Sequence, residues 1–199
     1  MKGFTLIEML VSVAIFAFVV VIALGALLAI SASDRKAESL KAVINNLNFS
    51  LDSMSRSIRT GYNYHCGSFG GGDCQSGSNF FAYTAADGTQ VAYQLVSGSG
   101  NATVCGQTGS NIGCIVRSTD GGASWQPLTA PEVVVNDYST SVPASYMFYL
   151  VGSIPQSQND PISAQPKVNI LISGAVVLTP TQQSKFNLQT TVTQRIYDQ

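Results

Sequence analysis

The sequence predicts an α+β protein: one long N-terminal helix laid on an antiparallel β-sheet head. Three observations carry this. An apolar run extends from Met9 to Ile30, interrupted only by Ser12 and Gly25, and is long enough to cross a bilayer as a helix. Apolar residues then recur at helical spacing from Leu40 to Ile58. From about residue 79 the apolar period falls to two, between loops rich in Gly, Ser and Pro.

The chain has 199 residues, enough for one domain with a real core. Charged residues make up only 11%, and the polar residues after Ser33 are mostly Ser, Thr, Asn, Gln and Gly, which suits a secreted head. A net charge of −1 supplies no basic stripe to displace counterions, which argues against nucleic acid as a direct partner. The charge is unevenly spread. Residues 34–59 carry five bases and three acids, a balance of +2; residues 60–199 carry four bases and seven acids, a balance of −3.

The N-terminal run is too long for the apolar core of a secretory signal, although Ala29–Ala32 has something of a small-x-small cleavage site. A plain signal anchor is the other simple reading. Glu8 separates these readings from a third. A carboxylate in a spanning helix costs about 2.5–3.5 kcal/mol at the centre and less near an interface, so it calls for a function and a partner. Its place near the helix start lets the dipole offset part of that cost.

The run Gly3-Phe4-Thr5-Leu6-Ile7-Glu8, behind a short basic leader containing Lys2, resembles the class III signal of type IV pilins. The resemblance implies that prepilin peptidase cuts between Gly3 and Phe4 and that Phe4 is then N-methylated. It also implies a partner for Glu8: the N-terminal amine of a neighbouring subunit in the apolar core of a filament. There a buried anion and a buried cation neutralise each other. Lys2 on one side and Arg35 and Lys36 on the other, with Asp34 and Glu38 beside them, leave positive-inside counting undecided. The motif and the cysteines set the N-terminus inside and the bulk outside.

No proline occurs before Pro127, so the helix is expected to continue past Ser33. Leu40, Ile44, Leu47, Leu51, Met54 and Ile58 form its apolar stripe, and Thr60-Gly61 its stop, with Arg56 and Arg59 favouring the dipole in the last turn. Phe4 to Thr60 then makes one helix of about 85 Å at 1.5 Å per residue. Many pilins place a proline near the twenty-second mature residue; here Gly25 stands there. Glycine weakens a helix interior by up to about 1 kcal/mol relative to alanine, which keeps a soft point at that position.

In the head, Asn79–Ala86 and Gln90–Val96 flank Asp87-Gly88, a hairpin signal. Tyr146–Val151, Lys167–Ser173 and Phe186–Thr193 also alternate. Cys66/Cys74 and Cys105/Cys114 form two short-range pairs. Local bridges would contribute about 2–3 kcal/mol each and fit an extracytoplasmic head. Free thiols or a zinc site built from all four cysteines are the alternatives. Zinc ligands are usually spaced two to four residues apart within a pair, whereas seven and eight residues intervene here. Other metal sites find no support: Asp73, Asp120, Asp137 and Asp160 are scattered without EF-hand spacing. The sole histidine, His65, reads as a solvated loop residue with no acidic cluster beside it, so no catalytic residue and no cofactor is expected.

Ser118-Thr119-Asp120-Gly121-Gly122-Ala123-Ser124-Trp125 fits the Asp-box pattern and resembles the repeats of sialidase-like propellers. A propeller needs several copies and this chain holds one, so the expectation is a tight hairpin pinned by the single tryptophan.

The element order resembles minor pilins and pseudopilins, particularly the larger J- or W-type subunits. The carrying residues are Pro127-Leu128-Thr129, Glu132-Val133-Val134-Val135, Gln165-Pro166-Lys167-Val168 and the tail Phe186–Arg195. The expected organisation is a leader at 1–3, a transmembrane and filament-core helix at 4–33, an amphipathic helix at 34–60, and a β-rich extracytoplasmic head at 61–199. The resemblance implies a structural subunit of a type IV pilus or type II secretion filament, not an enzyme, held in the cytoplasmic (inner) membrane before assembly. Its partners would be prepilin peptidase, other pilins or pseudopilins, the inner-membrane assembly platform and the lipid bilayer. A major pilin, or a membrane-anchored glycan-binding module using the Asp-box, are the alternatives.

Overall fold

A computed structural model describes residues 3–67, 72–107, 112–135, 146–152, 165–179 and 182–195. The chain divides into two compact units, Met1–Lys41 and Ala42–Gln199, and helix α1 (Leu6–Arg59, 54 residues) contributes to both.

In the first unit α1 is solvent-exposed all round. Phe4, Leu6, Ile7, Leu10, Phe16, Phe18 and Ile22 all present their side chains outward. A helix that is apolar on every face has no single core to pack on and suits an apolar surround. By length and composition α1 can cross a membrane. The Ser12 hydroxyl donates to the Glu8 carbonyl at 2.7 Å, which removes an unsatisfied donor from this apolar stretch.

The second unit contains the rest of α1 and, among the described residues, ten strands. One antiparallel sheet has the order β1-β3-β4-β5-β6: Tyr62–Cys66, Phe80–Thr84, Gln90–Ser97, Gly113–Ser118 and Gln126–Pro127. A second, also antiparallel, has the order β10-β9-β8-β2: Gln182–Thr193, Lys167–Thr179, Phe148–Val151 and Cys74–Ser78. The short β7 (Val133–Val135) pairs with β9 beside this path. A short helix, α2 (Ala102–Cys105), precedes β5. The architecture is the α+β, pilin-like one expected, with the strands shared between two sheets where the apolar pattern suggested one.

The Asp87-Gly88 hairpin forms as expected, in register from Phe80↔Gln94 to Thr84↔Gln90. The Thr89 amide donates to Asp87 Oδ1 at 2.9 Å, and Gly88 takes the positive φ that the turn requires. The Asp87 carboxyl is held below its ordinary range chiefly by hydrogen bonding from Thr89.

Within this unit α1 buries Val43, Leu47, Ser50, Met54 and Ile58. The buried stripe is therefore rotated from the expected one: Ile44 is 41% exposed, Leu40 and Leu51 are half-buried, and Val43 and Ser50 take inward positions. The reason is polar. Ser50 Oγ donates to the Leu128 carbonyl at 3.0 Å, and the Ala130 amide donates to Asn46 Oδ1 at 3.1 Å. The 128–130 segment presents backbone groups to the helix, and Ser50 and Asn46 satisfy two of them where an apolar face could not.

The last carbonyls of α1 are all engaged. Thr60 Oγ1 donates to those of Arg56 and Ser57, the Gly61 amide and the Tyr64 hydroxyl to that of Ile58, and the Arg195 amide to that of Arg59. Gly61 is required here: a Cβ would come within 2.3 Å of the Tyr83 ring. Tyr83 is itself buried and its hydroxyl bonds Ser57 on α1. Burial, the largest effect, pushes its phenol well above the ordinary range.

Phe81 and Tyr83 on one face of β3 stack at 5.8 Å, and Phe81 meets Phe148 of the second sheet at 5.5 Å. Leu150, Ile170 and Ile172 complete that side of the core. Between the sheets runs β7, whose Val135 carbonyl lies where a Cβ on Gly113 of β5 would sit, 1.9 Å away. The buried Gln107 amide staples this crossing: its Nε2 donates to the Val133 and Gly113 carbonyls, and its Oε1 accepts from the Gly113 amide.

Candidate functional site: the N-terminal segment

Gly3, Phe4 and Thr5 precede the helix, and a Cβ at Gly3 would meet nothing within 4 Å. Phe4 is 79% exposed. The Gly3–Phe4 peptide thus lies in non-helical, open backbone, the form in which a protease can take a chain into an extended cleft. Met1 and Lys2 of the expected leader lie outside the described residues.

Helix α1 starts on the Thr5 carbonyl, which accepts from the Glu8 amide at 3.1 Å and the Met9 amide at 3.3 Å. This puts Glu8 in the first turn, where its charge complements the helix dipole. Its side chain is exposed and, among the described residues, joins no ion pair; the one ion pair there is Arg56–Asp52 at 2.8 Å. A carboxylate so placed on an apolar helix has its counter-charge still to find.

In the head, the cysteines form two bonds. Cys66–Cys74 joins β1 of the first sheet to β2 of the second, with Cα atoms 5.8 Å apart. Cys105–Cys114 joins α2 to β5 at 5.6 Å, inside a cluster with Ile112 and Val116. All four thiols are spent, which leaves no thiolate for zinc.

Ser118–Trp125 builds a self-contained turn at the β5–β6 hairpin. Asp120 Oδ1 accepts from Ser118 Oγ at 2.7 Å and from the Ser124 amide at 2.9 Å, and Oδ2 bonds the Ser124 hydroxyl. These bonds, that of the Ser124 side chain first, hold the Asp120 carboxyl well below the usual carboxylate range. Trp125 meets Phe80 edge-on at 6.3 Å. The polar atoms of this turn are used in closing it.

His65 corrects the sequence reading. It lies in strand β1 and is 6% exposed, with Nδ1 3.0 Å from the Asn63 carbonyl, so it is a core residue and not a solvated loop one. No group of three metal-ligating side chains occurs among the described residues. Asp137 and Asp160 lie outside them.

A long apolar helix near the N-terminus, with a first-turn acid behind an open glycine–phenylalanine bond, suggests membrane anchoring. Residues 1–24 match the family model described as the prokaryotic N-terminal methylation motif. This match over the first 24 residues supports a type IV pilin-like protein, and proteins of that kind are generally structural. The motif implies processing by prepilin peptidase and assembly with other pilins. No curated protein and no solved structure matches the chain.

Proposed function

We propose that the chain is a minor pilin or pseudopilin that takes part in, or initiates, a type IV pilus or type II secretion filament. It is held in the cytoplasmic membrane with its N-terminus inside, cut between Gly3 and Phe4, and N-methylated on Phe4. The observation that carries this is the methylation motif at residues 1–24 coinciding with open backbone at Gly3–Thr5 and a first-turn Glu8. Cleavage frees an amine at Phe4, and Glu8 of a neighbouring subunit is its counter-ion in the apolar filament core. Each subunit then brings one charge of each sign into a low-dielectric surround, and only assembly lets them meet. The large head, with its Gly- and Ser-rich loops, favours a minor subunit over a major one. The test is Glu8→Ala in the full-length chain. The variant is expected to insert in the membrane normally and to be missing from sheared filaments; incorporation at the wild-type level refutes the charge pairing.

A further inference from the structure

Strand β10 forms one side of the second sheet. It pairs with β9 along its whole length, from Gln182↔Thr179 to Thr193↔Lys167, and among the described residues no strand lies on its other side. The main-chain groups on that side have no ladder to join. Proteins usually blunt such an edge with charges, prolines or bulges. From Phe186 to Thr193 β10 holds no charged residue, no proline and no glycine, and its one register irregularity falls earlier, between Gln182 and Gln183. At about 3.4 Å per residue, this leaves an unguarded edge of about 27 Å. Asn187, Gln189, Thr191 and Thr193 are exposed on one face, while Phe186, Leu188 and Thr190 are half-buried and Val192 is buried on the other. Such an edge can be extended by a further strand, with affinity from main-chain hydrogen bonds.

Charge points to the occupant. Residues 60–199 carry four bases, and three of them, Lys167, Lys185 and Arg195, lie on β9, on β10 or just past it. At the C-terminal end of β10, Lys167 stands opposite Thr193, and the Arg195 amide donates to the Arg59 carbonyl at 2.9 Å. Lys167, Arg195 and Arg59 are all exposed, and among the described residues none of them joins an ion pair. Three like charges gathered at one end of an open strand favour an acidic partner there. A second copy of the chain does not supply one. Two β10 edges laid antiparallel would set Arg195 against Lys185, and laid parallel would set each base against itself; like charges so opposed are destabilising.

We propose that the free edge of β10 is a docking site for an extended segment of a different protein, added as a further strand, with acidic side chains at the end that meets Lys167, Arg195 and Arg59. The proposal rests on the head alone and stands or falls separately from the processing at Gly3–Phe4 and the Glu8 pairing.

The test follows amide hydrogen exchange along β10 in the full-length chain held in detergent micelles. The probe is an end-blocked peptide of about eight alternating Thr and Val residues with two glutamates at one end, tried at either end. Control peptides carry two lysines there, or prolines in place of the central residues. The glutamate peptide is expected to slow alternate amides between Phe186 and Thr193 about tenfold or more and to bind about tenfold more tightly than the lysine peptide, and the proline peptide to slow none. In the double variant Lys167→Glu, Arg195→Glu the preference should reverse toward the lysine peptide; if that variant melts below the wild type, Arg195→Glu alone is read instead. Equal binding of the glutamate and lysine peptides, or no slowing with either, would overturn the inference. So would slow exchange at these amides in the chain without peptide, because the edge would then already be covered by other residues of the chain or by a second copy.

Discussion

Replacing Leu47 and Ile44 by alanine, one at a time, distinguishes two ways of laying α1 on the head. By apolar spacing alone the two are equivalent members of one stripe. In the structure Leu47 is fully buried and Ile44 is 41% exposed. Leu47→Ala removes three carbons from a closed site and leaves a cavity, a loss of about 2–5 kcal/mol. Ile44→Ala removes a side chain that water already reaches, a loss of about 1 kcal/mol. For a unit of this size about 1 kcal/mol moves the melting temperature by about 2–4 °C, so a 3 kcal/mol loss at Leu47 predicts a fall of about 6–12 °C. The assay is thermal unfolding of the 34–199 fragment, followed by circular dichroism with the disulfides intact. Equal falls for the two variants, or a larger one for Ile44→Ala, would refute the rotated stripe and the polar anchoring that explains it.

Two further outcomes concern the head. The non-reduced exported protein should show no alkylatable thiol by mass spectrometry, and the double variant Cys105→Ser, Cys114→Ser should lose about 2–4 kcal/mol of head stability; four alkylatable thiols in the non-reduced protein would contradict both bonds. Asp120 has its folded-state carboxyl held below the unfolded value, so its contribution is present above the unfolded value and is lost as pH falls toward the folded one. Asp120→Ala should therefore flatten the acid side of the head's stability profile below about pH 4, read as melting temperature against pH; an unchanged acid limb would show that the turn's hydrogen bonds do not set it.

The parts of the fold that local patterns can carry were legible in the sequence. Helix α1 ends at Arg59, where Thr60-Gly61 and the basic last turn mark a stop, because caps are local chemistry. The β3–β4 hairpin follows from Asp87-Gly88 for the same reason. What needed partners was hidden. Ser50 is buried where its hydroxyl reaches a distant carbonyl, that of Leu128, and no helical period reveals this. Strands β1 and β2 lie in stretches such as Cys74-Gln75-Ser76-Gly77-Ser78, whose composition reads as loop; cross-strand pairing and the Cys66–Cys74 bond hold them extended. His65 was misplaced by the same omission, since the cross-strand pairing with Ala82 that accompanies its burial is not visible along the chain. The N-terminal segment was the most legible region, being a linear signal presented on open backbone.

The most direct test of the whole account is the mass of the N-terminal peptide from the membrane-held or assembled protein. The account predicts a peptide that begins at Phe4 and carries one methyl group on its amine. A peptide beginning at Met1, or at a cut within residues 29–34, would contradict it.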